Sequence, residues 1–386
     1  MRIAKGAALV AAMLLAGGSV LAGPARAAAL APGDYKVGFV AEITGPIAFA
    51  GKSFLAGAQL AADEISANGW MGKGTHISVL VKDSASDAAR AIQDIHQFIA
   101  DRSVIATTCC ILSPVANSVK PIVASAGIPL VIHGATLPGL PAPPWVYSMT
   151  VLPGPKDVAT AVKMAETTKP KSVTYFLAAD NDAFKARLGA ARAALEKMGV
   201  KTAGVVSVLT ADTDFTAPAT QAMGEHPDAI LIYTTQAPAV GIIAALRQRG
   251  YTGTIVGNDV LSPASVFKKL GPAVVGIPFP IGFSSDLATT PEAKAFVAGY
   301  KAKFGNDPDI YSAQGYEAIW FIAQGLRAAG GKPTRATLAK TLAAQHEVTH
   351  NVYGGEPITG GQIDTAGTTI VAWSADGKLV PWTGAK

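Results

Sequence analysis

Small polar residues follow two apolar runs of the chain. The run at 103–107 ends in Thr107-Thr108-Cys109-Cys110, and the run at 129–132 ends in His133-Gly134-Ala135-Thr136. A helix-compatible segment, 113–126, separates the runs. Strand, helix and strand form the βαβ unit of a parallel sheet, and ligands bind such sheets beyond the carboxyl ends of the strands. We therefore expect a ligand site where these two polar segments meet.

A second set of residues has the spacing of a zinc site. His346-Glu347-Val348-Thr349-His350 matches the H-E-x-x-H motif of zinc peptidases, in which two histidines one helical turn apart bind the metal and the glutamate acts as a base. The context is unfavourable, because the β-branched pair Val348-Thr349 leads into a loop and no later helix supplies a third ligand. A zinc metallopeptidase acting through His346 and His350 is therefore a distant alternative.

Other catalytic patterns are missing from the sequence. There is no G-x-S-x-G elbow, and the loop after the first strand, EITGPIAFAG at 42–51, lacks the G-x-G-x-x-G of dinucleotide-binding enzymes. His133 has no partner nucleophile apart from the cysteines. We predict a protein that is not an enzyme and that needs neither a cofactor nor a metal.

The two cysteines of the chain, Cys109 and Cys110, are adjacent. Neighbouring Cα atoms across a trans peptide lie about 3.8 Å apart, below the usual disulfide range of roughly 4.4 to 6.8 Å. We expect two free or partly buried thiols, with a strained vicinal disulfide as the alternative.

The first 27 residues have the pattern of a secretory signal peptide. Arg2 and Lys5 precede an apolar core at 7–15, and Ala25-Arg26-Ala27 is a cleavage signal. We therefore predict export to the periplasm, with cleavage before Ala28. The whole chain has 32 basic and 27 acidic residues; without the leader, 29 basic residues remain. No cluster of Lys and Arg stands out, which argues against a nucleic-acid partner.

The remaining chain of about 360 residues is typical of two domains. Apolar runs of strand length alternate with helical segments in both halves, which indicates βαβ units and an α/β fold with parallel sheets. Strands are predicted at 35–41, 76–81, 172–178, 204–209, 229–234 and 254–257, with a terminal hairpin around Asp376-Gly377.

Several stretches resemble the leucine/isoleucine/valine-binding family of periplasmic solute-binding proteins. The first is YKVGFVAEITGP at 35–46, followed by Gly51 and an Ala-rich helix. The others are GIP at 127–129 with GAT at 134–136, DTDF at 212–215, and YEA at 316–318. They occur in the family's order over nearly the whole chain after the leader. This resemblance implies two doubly wound parallel-sheet lobes, joined by a three-segment hinge, with a ligand cleft between them.

The family pattern also implies a division of the chain and its partners. Lobe one is expected at 34–150 and 282–353, and lobe two at 151–281 and 354–386. A small-molecule solute closes the lobes, and the closed form docks on the membrane permease of an ABC importer. We expect the protein to be a monomer.

The resemblance further implies how an amino acid would be held. Its carboxylate meets hydroxyl and backbone N–H groups near Cys110 and at Thr136, and its ammonium meets the Gly134 carbonyl and Asp259. Phe184 occupies the place of an aromatic that covers the ligand, and Gln236 lies in another ligand-facing loop. The expected ligand-binding residues are Cys110, Ile111, Gly134, Ala135, Thr136, Phe184, Gln236 and Asp259.

Cys110 departs from the family, which has a serine at this place. A thiol is a weaker hydrogen-bond donor, and Ile111 beside it is apolar. We predict a hydrophobic, branched-chain-type amino acid as ligand, with an aromatic carboxylate as the alternative. A zwitterion needs a partner for each charge; Thr136 and Asp259 suit the two, although a strand-end cap and a turn residue are their alternative roles.

Overall fold

The structure, a computed structural model, describes residues 28–353, 357–363 and 369–384. The predicted signal peptide at 1–27 lies outside these ranges. Strands and helices alternate through most of the described chain. None of the helices within these ranges combines the length and apolar character needed to cross a membrane.

The elements occur in three successive groups. The first contains β1 (Gly33–Ala41), α1 (Ala48–Ala67), β2 (Thr75–Asp83), α2 (Ala88–Ala100), β3 (Val104–Cys109), α3 (Ser113–Ala126), β4 (Leu130–Ile132) and β5 (Val146–Ser148). The second contains α4 (Gly154–Thr168), β6 (Ser172–Ala178), α5 (Asp182–Lys197), β7 (Lys201–Val208), α6 (Thr216–Gly224), β8 (Ala229–Tyr233), α7 (Gln236–Gln248), β9 (Thr254–Val256), α8 (Ala264–Leu270) and β10 (Phe279–Ile281). The third contains α9 (Pro291–Phe304), α10 (Ile310–Ala329), α11 (Arg335–Ala343), β11 (Ile358–Thr359), β12 (Gln362–Ile363), β13 (Thr369–Trp373) and β14 (Leu379–Pro381).

The first lobe is built on a seven-stranded sheet with the order β11-β12-β5-β4-β3-β1-β2. Its neighbouring strands are parallel, except for the antiparallel pair β11–β12. In the register of β3 and β4, Cys109 lies opposite Ile132. The segments that follow these two strands therefore leave the sheet at one edge, as the sequence predicted.

The second lobe contains a parallel sheet, β7-β6-β8-β9, and an antiparallel sheet, β10-β13-β14. Strand β8 is buried at every residue and β6 at most, as expected for parallel strands covered by helices on both faces. Helices α4 and α5 pack against each other beside the parallel sheet. A short 3-10 helix, Asp259–Leu261, follows β9 at the carboxyl end of this sheet.

The chain passes between the lobes after β5, after β10 and between β12 and β13. We expected all of 354–386 in lobe two, and this is wrong for 358–363. Gln362 of β12 pairs with Ser148 of β5 in the sheet of the first lobe, and its side-chain amide donates a hydrogen bond to the Thr150 carbonyl at 2.5 Å. The added pair of strands covers an edge that would otherwise expose unpaired backbone groups.

Helices α1 and α10 pack against each other in the first lobe. Glycines lie at their crossing: a Cβ at Gly57 would meet the Ser312 carbonyl, and one at Gly315 would meet the Phe54 carbonyl. The start of α10 is fixed by a capping box, in which the Asp309 carboxylate accepts a hydrogen bond from the Ser312 backbone N–H at 2.8 Å. This packing brings the first turns of α10 to the cleft.

Candidate ligand-binding cleft

A cleft lies between the lobes, beyond the carboxyl ends of β3, β4 and β9. The first lobe contributes Pro46, Ile47, Phe49, Ala50, Ile111, Leu112, Ser113, Gly134, Thr136, Tyr311 and Gln314 to its lining. The second lobe contributes Asn181, Phe184, Arg187, Thr235, Gln236, Ala237, Asp259 and Val260. Both lobes thus present polar and apolar groups to one space.

Most of the residues singled out in the sequence meet at this cleft. Cys110 and Ala135 do not line it: both are buried behind the first-lobe wall, where the Ala135 N–H donates a hydrogen bond to the Cys110 carbonyl at 2.9 Å. This bond ties together the two loops that follow β3 and β4. The predicted residues that do line the cleft are Ile111, Gly134, Thr136, Phe184, Gln236 and Asp259.

The two cysteines form a vicinal disulfide, so the expectation of free thiols is wrong. That expectation assumed a trans peptide, whereas the Cys109–Cys110 bond is cis. Both residues are fully buried. Cys110 therefore has no thiol to offer to a ligand.

The first-lobe wall presents hydroxyl groups at the start of α3. The Ser113 hydroxyl accepts hydrogen bonds from the backbone N–H groups of Thr136 and Leu137, both at 3.2 Å. Helix α3 has no side-chain cap at its N-terminus, and Pro114 occupies its first turn. The wall therefore combines the hydroxyls of Ser113 and Thr136 with an uncapped helix N-terminus, which favours an anion.

Gly134 is required by the close packing behind this wall. A Cβ on Gly134 would lie 2.8 Å from the Phe54 ring and 3.1 Å from the Ile111 Cα. A methyl group at this position would therefore displace the Phe54 ring or the backbone at Ile111.

A buried polar pair supports the same wall. Glu42 accepts a hydrogen bond from the Ile111 N–H at 3.2 Å, and its other oxygen lies 4.0 Å from His133 Nε2. Burial raises the pKa of Glu42 to about 8 and lowers the pKa of His133 to about 3. Both side chains are therefore neutral at neutral pH, and the first-lobe wall carries no buried charge here. His133 packs between Phe39 and Phe54, so it is not available as a base in the cleft.

The second-lobe wall carries two buried charged side chains, Arg187 and Asp157, and the partly exposed Asp259. Arg187 of α5 donates from Nε and Nη2 to Asp157 of α4, at 2.5 and 3.1 Å. Its Nη2 also donates to Asp259 at 2.7 Å. The side chains of Arg187 and Asp157 are 3% and 1% exposed, and that of Asp259 is 16% exposed. Asp259 is thus the member of this cluster that a ligand can reach most readily.

The pKa shifts in the cluster reflect burial and mutual charge. Burial, together with the nearby Asp259, raises the pKa of Asp157 to about 6 in spite of Arg187. Burial opposes the charge of Arg187, but the two carboxylates raise its pKa above the usual value. At neutral pH the guanidinium is charged and Asp157 is mostly ionised.

Aromatic rings border the cleft on both sides. The Phe184 ring lies over the Arg187 guanidinium at 5.0 Å, a cation–π contact. Phe49 and Tyr311 meet edge to face with ring centroids 6.3 Å apart, and Phe49 is 40% exposed. The polar groups of the two walls are therefore flanked by apolar surface that suits a hydrophobic ligand.

Sequence reasoning missed four of these residues. Arg187 lies three positions after Phe184, on the same face of a helix, and that spacing was a usable signal. Ser113 begins the segment between the two polar loops. Asp157 and Tyr311 carry no local signal, because their positions depend on contacts with distant elements.

The H-E-x-x-H motif does not form a zinc site. Helix α11 ends at Ala343, and the motif from His346 to His350 lies in non-helical chain. The His350 ring stacks on Trp320 at 3.8 Å. Among the described residues, no group of three or more His, Cys, Asp or Glu side chains could hold a metal ion.

The chain is similar to known binding proteins over most of its length. The sequence pattern of the periplasmic binding protein family matches residues 34–377. The Leu/Ile/Val-binding protein BraC3 of Rhizobium johnstonii is 26% identical over 374 residues, covering 92% of this chain and 95% of the relative. These matches span both lobes.

Solved structures share the fold. The branched-chain amino acid transporter substrate-binding protein LivJ of Streptococcus pneumoniae, in complex with isoleucine, has a TM-score of 0.80 and 25% identity, covering 90% of this chain and 98% of LivJ. A solute-binding protein from R. palustris, in complex with 4-hydroxybenzoate, has a TM-score of 0.79 and 20% identity, covering 90% of this chain and 95% of that protein.

These relatives are substrate-binding proteins rather than enzymes, and the predicted two-lobed α/β fold is confirmed. Members of the family are periplasmic, bind small molecules and work with the permeases of ABC transporters. The chain belongs to the periplasmic binding protein family, as a type I member related to the leucine/isoleucine/valine-binding proteins.

Proposed function

We propose that this protein is the periplasmic component of an ABC importer that binds a small hydrophobic amino acid of the branched-chain type. The observation that carries this proposal is the charge of the second-lobe wall. There, Asp157 and Asp259 exceed the single guanidinium of Arg187 by one negative charge. An unbalanced carboxylate beside apolar surface favours a cation, and the ligand's ammonium group supplies it.

In this proposal the ligand spans the cleft. Its ammonium group binds Asp259 and the Gly134 carbonyl. Its carboxylate faces the Thr136 hydroxyl and the N-terminus of α3, which has no side-chain cap and whose dipole favours an anion. The hydrophobic side chain packs against Phe49 and Phe184, which line the cleft.

The lobes would close over this ligand, and the closed form would dock on the permease. We assign 34–150, 282–353 and 357–363 to lobe one, and 151–281 and 369–384 to lobe two, following the sheets. The leader 1–27 would be cleaved on export, and the mature protein would act as a monomer.

An aromatic carboxylate is the second candidate. Asp259 already accepts a hydrogen bond from Arg187, which lowers its need for a ligand cation. The cleft is lined by Phe49, Phe184 and Tyr311, and the R. palustris relative was solved with 4-hydroxybenzoate. These observations favour a flat ring with a single negative charge.

A thermal-shift screen of the mature chain separates the two candidates. The protein is unfolded and refolded first, to remove bound ligand. Leucine, isoleucine, valine and phenylalanine are compared with benzoate, 4-hydroxybenzoate and 4-methylpentanoate, which is leucine without its amino group. Ligand at 100 times its dissociation constant adds about 2.7 kcal/mol of stability.

Stabilisation by the amino acids supports the first candidate. Stabilisation by the aromatic acids alone would replace it with the second. Stabilisation by none of these ligands would contradict both.

A further inference from the structure

We infer that Asp157, which does not line the cleft, sets the charge selectivity of the cleft through Arg187. This inference rests on the proposed function, because it explains how the site would prefer a zwitterion to a simple acid. Asp157 lies in the first turn of α4 and reaches Arg187 through two hydrogen bonds. It is a positioning residue, separated from the ligand by Arg187.

The guanidinium of Arg187 donates hydrogen bonds to two carboxylates. Arg187 presents Nε and Nη2 to Asp157 in a paired arrangement, and Nη2 alone to Asp259. The paired contact is the stronger one, because bidentate Arg–carboxylate pairs match in shape as well as charge. Asp157 therefore neutralises most of the Arg187 charge, and the charge of Asp259 remains for the ligand.

Removing the negative charge at Asp157 would abolish the excess negative charge of the cluster. Arg187 and Asp259 would form a neutral pair, and an incoming ammonium would compete with the guanidinium for one carboxylate. A ligand with a carboxylate and no ammonium would no longer meet an excess of negative charge. The selectivity for an amino group would fall even though no residue in contact with the ligand had changed.

Another cation, outside the contacts that join Asp157, Arg187 and Asp259, lies near the cluster. Lys156, the neighbour of Asp157 in α4, lines a small cavity behind the cleft that Asp259 also borders. Lys156 is already held by a contact of its own. The proposed substitutions leave it in place, so its contribution is the same in every protein compared.

The test compares affinities for leucine and 4-methylpentanoate by isothermal titration calorimetry. Asp157→Asn removes the charge and keeps an oxygen that can accept from Arg187. We expect the ratio of leucine affinity to 4-methylpentanoate affinity to fall by roughly tenfold or more, which corresponds to about 1.4 kcal/mol. Asp228→Asn is the matched control: Asp228 also lies in lobe two and accepts two backbone hydrogen bonds, from Lys171 and Ser172.

A double variant separates charge from structural damage. Asp157→Asn with Arg187→Met removes one charge of each sign and leaves Asp259 with the same unbalanced charge as in the wild type. We expect this variant to regain much of the selectivity ratio that Asp157→Asn loses. A structural role for Asp157 predicts no such recovery.

The outcomes distinguish this inference from the proposed function. If the wild type prefers leucine and Asp157→Asn keeps the wild-type ratio, or weakens both ligands equally, the role of Asp157 is wrong and the proposed function stands. If Asp157→Asn does not fold, a double variant that folds but has lost the wild-type ratio would equally overturn it. If the wild type binds 4-methylpentanoate as tightly as leucine, or binds neither, both proposals are wrong.

Discussion

The two walls of the cleft present different kinds of polarity. The first-lobe wall presents uncharged polar groups, among them the hydroxyls of Ser113 and Thr136, and Glu42 behind them is protonated at neutral pH. On the second-lobe wall, the buried Asp157 and Arg187 and the partly exposed Asp259 carry three charges. The first-lobe wall therefore suits the anionic end of a ligand, because its hydroxyl and helix dipoles favour a negative charge. The second-lobe wall suits the cationic end, because it carries a net negative charge.

The walls also differ in how the chain assembles them. The first-lobe groups come mainly from one βαβ unit, β3–α3–β4, in which backbone hydrogen bonds such as Ala135 N–H to Cys110 carbonyl fix the loops. The charges of the second wall come from α4, α5 and the 3-10 helix after β9. Neutral donors can be oriented by local backbone, whereas buried charges require partners from elsewhere in the fold.

The largest effect is expected from removing the ligand-facing charge of the second wall. Asp259→Asn should reduce leucine affinity by about 2–5 kcal/mol, because the ligand ammonium loses its charged partner. Binding of 4-methylpentanoate should change far less. Calorimetric titration measures both, with Asp180→Asn, an exposed aspartate of the same lobe, as control. Equal losses for the two ligands would argue against an ammonium partner.

A smaller effect is expected from the hydroxyl of the first wall. Thr136→Ala should weaken binding of leucine by about 1.5–3 kcal/mol, the range for a hydrogen bond to a charged group. Thr136→Ser keeps the hydroxyl and should retain most of the affinity in the same titration. Unchanged affinity in Thr136→Ala would remove this residue from the site.

The packing of the first wall can be tested at Gly134. Gly134→Ala places a methyl group against Phe54 and Ile111, and such overpacking costs about 1–3 kcal/mol of unfolding free energy. Urea denaturation monitors the change. Gly189→Ala is the control, since nothing lies within 4 Å of a Cβ at that helical position; it should be neutral or stabilising. If Gly134→Ala is as stable as the wild type, the Phe54 ring moves away from the added methyl group at little cost.

The smallest effect on affinity is expected for Glu42→Gln, because Glu42 is already uncharged at pH 7. Its effect should instead be on pH dependence. The folded-state pKa of about 8 exceeds the ordinary 4.5, so the folded state holds a proton that the unfolded state releases. Wild-type stability should therefore fall as pH rises between these values, by about 1.4 kcal/mol per pH unit relative to Glu42→Gln.

Denaturation of both proteins at pH 6, 7 and 8 measures this difference. Parallel stability profiles would mean that Glu42 is ionised when folded. In that case the first wall would carry a charge, and the contrast between the walls would be weaker.

Much of the fold was predictable from local pattern. Helix α3 occupies the predicted 113–126, and the terminal hairpin turns at Gly377 between β13 and β14. The position of 358–363 was not predictable, because strands of two residues are too short to show periodicity. The disulfide at Cys109–Cys110 was expected only as the alternative to free thiols, because chain spacing was judged from a trans peptide.

The sequence by itself determined the βαβ alternation, the edge at which the site lies, and candidate residues such as Thr136 and Asp259. The tertiary structure alone decided the charge state of the site. Asp157, Arg187 and Asp259 are separated by tens of residues in the chain, yet their side chains are in contact. Periodicity and turn chemistry act over a few residues, whereas electrostatic pairing depends on distance in space, and only the folded chain fixes that distance.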